Sequence, residues 1–83
     1  MSELARSSKQ LGQVIQRHRK ARGLSQAALA ARAGLRQEMV SKIEGGQPGS
    51  RLASIYALLA ALDLEMTVGS RTRSASADIA DIF

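Results

Sequence analysis

The chain has no cysteine, so disulfides and thiolate metal sites are excluded, and nothing in it argues for secretion. It has one histidine and no carboxylate pair beside a nucleophile. That leaves no acid–base or metal constellation, so neither catalysis nor a bound cofactor is expected. Only one Tyr and one Phe occur in 83 residues, too few for the aromatic platforms that usually hold single-stranded nucleic acid. No apolar run approaches a membrane span, and the opening MSELARSSKQ lacks a signal-peptide core. These absences lead to the expectation of a cytoplasmic protein of one domain with a tail. So short a chain buries a modest core, and oligomerisation is an expected source of further stability.

Acidic charge is also scarce where it matters. The net charge is +5, but between Arg17 and Lys42 seven basic residues face a single acid, Glu38, while the rest of the chain nearly balances. A local excess of this kind is the electrostatic footprint of phosphate binding, and with aromatics so few the expected partner is duplex DNA.

The densest pattern is residues 25–44, SQAALAARAGLRQEMVSKIE. It reads as two short amphipathic helices: about 26–33, with Ser25 as cap, and about 36–45, with Met39, Val40 and Ile43 on its apolar stripe. Gly34 stands between them, where a left-handed residue stops one helix and turns the chain. A plain helical hairpin would satisfy the same pattern. The outer face of the second helix favours a unit that enters the major groove. Arg36, Gln37, Glu38, Ser41 and Lys42 point away from the apolar stripe. Gln pairs bidentately with adenine, Arg or Lys with guanine, and Glu accepts from cytosine. These five are the candidate base readers. Met39 at core spacing is assigned to packing.

Flanking segments complete the domain. Residues 1–6 carry little pattern and are expected to be disordered. Ser7 and Gln10 fit a capping box opening a helix that runs to about Arg22, with Leu11, Val14, Ile15 and His18 inward and Gly23 ending it. His18 reads as a partly buried, satisfied core histidine in preference to a pH sensor or ligand. The run Gly45-Gly46-Gln47-Pro48-Gly49 is a loop. Ser50 is then expected to cap a helix over 51–62, with Leu52, Ile55, Leu58, Leu59 and Leu62 building the other core wall. Tyr56 and Ala60 flank that stripe as candidates for a dimer face. Candidate phosphate contacts are Arg22, Ser25, Gln26, Gln47, Ser50 and Arg51, Ser25 because helix N-termini attract anions. The helical domain spans 7–63.

At residues 64–69 the apolar period changes to two: Leu64, Met66 and Val68 on one face, Glu65 and Thr67 on the other, Gly69 at the end. A lone strand is expected to pair with the same strand of a second copy, in preference to packing as a tail on the last helix. A dimer would read a palindromic operator. Residues 70–83 have the composition of a flexible tail. Within it Ile79, Ile82 and Phe83, at i, i+3, i+4, would form a docking face if the segment folded on a partner.

The run Ser25-Gln26, Leu29-Ala30, Gly34, Gln37, Val40-Ser41, Ile43-Glu44 resembles the Cro/C1-type (XRE) helix-turn-helix family over roughly residues 8–64. The resemblance implies an all-α, four-to-five-helix domain of the lambda-repressor type. It implies that Arg19 pairs with Glu44 to tie the first helix to the recognition helix, although a solvated pair is equally consistent with the residues alone. It further implies that Gln26 holds a phosphate and braces Gln37. The chain departs from the family pattern at Arg36, where a Ser or Thr often caps the recognition helix. Size, the LEMTV strand and the polar tail resemble the HipB-like antitoxins. That implies a cytoplasmic, nucleoid-associated bacterial repressor of its own operon whose partners are DNA, a second copy and a HipA-like kinase toxin. The alternatives are a free-standing phage-type repressor and a protein-binding adaptor without DNA readout.

Overall fold

A computed structural model describes residues 3–71; residues 1–2 and 72–83, with the expected docking residues Ile79, Ile82 and Phe83, lie outside the described residues. The fold is all-α, as expected: α1 (Ser8–Ala21), α2 (Gln26–Ala33), α3 (Gln37–Glu44) and α4 (Leu52–Ala61). The middle pair, α2 and α3, pack on each other; α1 lies against α3 and α4 against α2. Their common core is Ile15, Leu29, Ala30, Val40, Ile43, Leu58, Leu59 and Leu62.

Capping decides where the helices start. Ser7 accepts from the Gln10 amide at 3.1 Å, but Gln10 Oε1 accepts from the Arg6 amide (2.6 Å), one residue further out than a capping box requires. Ser25 caps α2 by accepting from the Ala28 amide at 3.0 Å. Arg36 stands at the start of α3 with no side-chain cap, the weakness expected from its replacement of a hydroxyl residue. At α4 the expectation fails: Ser50 does not cap it. The first carbonyl in that helical ladder is Arg51's, which accepts from Ser54 and Ile55, so the capping position falls to Arg51 and no side chain fills it.

All four helices stop in the same way. A residue with positive φ follows the helix (Gly23, Gly34, Gly46 and Asp63), and the next amide reaches back five residues. These bonds are Leu24 to Arg19 O (3.1 Å), Leu35 to Ala30 O (2.9 Å), Gln47 to Lys42 O (3.1 Å) and Leu64 to Leu59 O (2.7 Å). In three of the four the donor is a leucine that packs against the core. Each turn therefore satisfies an orphan carbonyl and also places an apolar anchor. Gly34 makes the turn between α2 and α3 without the Cβ penalty of the left-handed region, whereas Asp63 carries that penalty at φ 58°.

The buried face of α1 is not the one its leucines and valine suggest. Gly12, Ile15 and Arg19 point inward, while Leu11, Val14 and His18 are half-buried. The reason is the closeness of α3. A Cβ on Gly12 would stand 2.3 Å from Ile43 O and 2.7 Å from Glu44 O, so only glycine lets the two helices meet there. Residues 64–71 form no helix or strand among the described residues. Leu64 packs on the core, Met66 is 39 % exposed and Val68 is 95 % exposed, so the three do not share one burial environment within a single chain.

Candidate nucleic-acid interface

Helix α3 carries two faces. Val40 and Ile43 enter the core, and Glu44 is buried beside them. Below α3, Arg19 Nε donates to Glu44 Oε2 at 2.6 Å and Arg19 NH2 to Glu44 Oε1 at 3.0 Å, a bidentate pair with both side chains almost wholly out of solvent. Arg19 NH1 donates to Leu24 O (2.8 Å), and the amide of Gln26 donates to Glu44 Oε1 at 3.1 Å. One carboxylate thus ties α1, α2 and the end of α3 together. Its hydrogen bonds hold the Arg19 guanidinium above its ordinary value, against a smaller opposing effect of burial. Of the two readings open from the residues alone, the buried pair is the one the fold contains. Gln26 is bonded to Glu44, not to Gln37, so the brace implied by the resemblance is not the contact formed.

The opposite face holds Arg36, Gln37, Glu38, Ser41 and Lys42, all exposed. Among the described residues none of these five side chains has an internal hydrogen bond or ion pair. The three-residue turn, Gly34 to Arg36, leads directly into this row, so Arg36, Gln37 and Glu38 stand at the N-terminal end of α3 and Ser41 and Lys42 one turn further along. A side chain with no internal partner is free to exchange water for a base edge, which is the requirement for direct readout.

The phosphate candidates divide. Ser25, Gln47 and Arg51 are exposed, and Gln26 and Ser50 are half-buried. Arg22 is exposed but already occupied: its NH1 donates to His18 O (3.1 Å) and approaches His18 Nδ1 (3.2 Å). His18 is accordingly satisfied, but at the edge of the fold and not in its core. Its other ring nitrogen meets Glu3, which also pairs with Arg17. Glu3 and Gly12 are the structural residues that sequence reasoning missed. A glycine between Leu11 and Ile15 on a helical stripe was the only signal for Gly12, and nothing local pointed to Glu3. Among the described residues no cluster of His, Asp or Glu could hold a metal ion, and no helix is long and apolar enough to cross a membrane.

A family described as Helix-turn-helix matches residues 15–68, about two thirds of the chain and the whole span from Ile15 through α3 to Val68. The chain belongs to the helix-turn-helix family. No curated protein matches it. Solved structures place this helix-turn-helix domain more finely. A HipB complex with an O2 20mer superposes with a TM-score of 0.80 at 26 % identity, over 87 % of this chain and 100 % of that one. A HipA–HipB–O2–O3 complex gives 0.79 at 25 % identity, over 86 % and 100 %. The restriction-modification controller protein C.AhdI from Aeromonas hydrophila gives 0.65 at 40 % identity, over 70 % and 84 %. The fold and the HipB-like resemblance expected from the sequence are thereby found. A helix-turn-helix domain is a DNA-binding module of transcription regulators, a non-enzymatic fold.

Proposed function

We propose that the protein is an operator-binding transcriptional repressor that works as a homodimer, and that it is the antitoxin of a toxin–antitoxin pair, binding a HipA-like kinase. The observation that carries the DNA reading is the row Arg36, Gln37, Glu38, Ser41 and Lys42: exposed, without internal partners, on a helix whose other side is fixed by a buried ion pair. Arg51, Ser25, Gln26, Gln47 and Ser50 contribute phosphate contacts around it. Arg22 does so by turning away from His18.

Dimerisation is supported by what a single chain leaves exposed. Helix α4 has no charged residue, yet Leu52 is 57 % and Tyr56 50 % exposed, and Val68 stands almost wholly in solvent. A groove of about 810 Å³ runs between residues 3–8, α1 and residues 63–67, with Leu11, Leu64 and Met66 in its walls. In the dimer the segment Leu64 to Val68 pairs with its counterpart, and two reading helices face successive turns of a palindrome. The antitoxin role is supported by likeness to HipB, whose complexes include one with HipA. A second reading, a controller of a restriction–modification system, is favoured by the higher identity to C.AhdI.

Affinity purification from native cells, comparing the full chain with one ending at Gly69, separates these. One stoichiometric protein partner, lost on truncation, is the expected result. Recovery of DNA alone removes the antitoxin role and leaves a regulator of the controller or free-standing kind.

A further inference from the structure

Besides the groove beside α1, the described surface has a second, of about 640 Å³, where the turn between α2 and α3 meets the start of α4. Its apolar floor is Leu35 and Met39. Arg36, Lys42 and Arg51 stand around it against the single carboxylate of Glu38. The larger groove has a different balance, with Glu3, Asp63 and Glu65 in its walls against Arg6 and His18. An acidic ligand with an apolar face is therefore drawn to the second groove in preference to the first.

The chain itself contains such a segment. Residues 74–83, SASADIADIF, hold Asp78 and Asp81, no basic residue, and Ile79, Ile82 and Phe83 at i, i+3, i+4 spacing. They lie outside the described residues. Six residues lie between Arg71 and Asp78, and the seven links span at most about 25 Å of extended chain, a reach that matches the two shorter dimensions of the molecule (25 and 18 Å) and not the longest (46 Å). We propose that residues 78–83 dock in this groove of their own chain, with Ile79, Ile82 and Phe83 over Leu35 and Met39 and the two aspartates beside Arg36, Lys42 and Arg51. The segment then covers three of the five base readers, Arg36, Glu38 and Lys42, and competes with DNA for them. The competition rests on the DNA reading above; the docking does not. A tethered ligand of modest affinity suffices, because the short link keeps its local concentration high.

The test uses the full chain. With no native cysteine, S76C accepts a single nitroxide label. Docking broadens the amide resonances of Leu35 and Met39, and I79S/I82S abolishes the broadening. Unbroadened amides overturn the proposal. Broadening that appears between labelled and unlabelled copies in a mixed sample also overturns it, since the occupant is then a second chain. In the second measurement, affinity for a mixed-sequence 30-base-pair duplex is compared across tail variants. D78N/D81N and the charge-neutral I79S/I82S should each tighten binding by roughly threefold or more. Tightening by D78N/D81N alone overturns docking in favour of bulk repulsion between tail and phosphate. Broadening with no duplex binding by any variant supports docking and defeats the DNA reading instead.

Discussion

The two faces of α3 are built on opposite rules. Its inner side spends every polar group internally: Glu44 accepts from Arg19 twice and from Gln26 once, and Gly12 lets α1 reach the Ile43 and Glu44 carbonyls. Its outer side leaves five polar side chains without a partner in the described chain. A helix of eight residues has little stability of its own, so the inner face must hold it in place while the outer face stays uncommitted. Position and recognition are therefore separable properties. A change on one face should alter stability with the readout intact, and a change on the other should do the reverse.

The largest effect should come from breaking the buried pair on one side only. Glu44→Ala or Arg19→Ala leaves an uncompensated charge in the core and should cost about 3–5 kcal/mol of folding stability. Urea unfolding measures this. The double change R19M/E44L should cost markedly less than either single one; equal losses would mean that the charges do not act as a pair. Next comes Gly12→Ala. Alanine favours a helix by about 1 kcal/mol over glycine, yet here its methyl would press into backbone carbonyls, and overpacking of this kind costs about 1–3 kcal/mol. A net loss of stability supports the close approach of α1 to α3, and a net gain would refute it.

On the outer face, Gln37→Ala should leave the urea midpoint unchanged while costing about 1–3 kcal/mol at the cognate site and relaxing base choice there. Arg51→Ala should instead weaken all duplexes alike and lower the salt slope by about one. Binding titrations at several salt concentrations distinguish the two. A variant of this face that lowered stability as much as binding would break the division of labour.

The smallest effect belongs to Glu3, in the segment before α1. The Glu3 carboxyl lies below its ordinary value, first through its hydrogen bond to Arg17 and next through His18. A lowered value in the folded state means that the clasp is fully present above the ordinary carboxylate range and is lost as pH falls through the lowered one. An NMR titration should show the Leu4 amide shifting on the acid side only, with Arg17→Ala moving that step toward higher pH. A step that ignores Arg17→Ala would remove Arg17 as the cause.

Much of this division was legible in the sequence, for definite reasons. Ser25 and Gly34 mark their turn through local backbone chemistry, and the outer row of α3 follows from period alone. Arg19 and Glu44, 25 residues apart, were matched only through a family resemblance, since no local rule links them. Other features escaped because their causes are non-local. Gly12 is dictated by the carbonyls of a distant helix, and Gln26 turns to Glu44 because the buried carboxylate has acceptor capacity to spare. Ser50 was read as a cap from its residue type, but the helical ladder begins one residue later, at Arg51. His18 sits on the apolar stripe of α1, yet its partners, Glu3 and Arg22, hold it at the rim.

The shared Glu44 clamp also governs how the protein responds to heat. Because α1, α2 and the end of α3 meet at one carboxylate, α3 cannot remain ordered after that junction opens, and eight residues do not persist as a helix alone. Melting of the domain and loss of its reading surface are then a single transition. Release of an operator on warming should follow the same narrow temperature interval as the loss of helix in the same complex, a thermal fuse whose baseline is set by the Arg19–Glu44 junction and raised by operator binding.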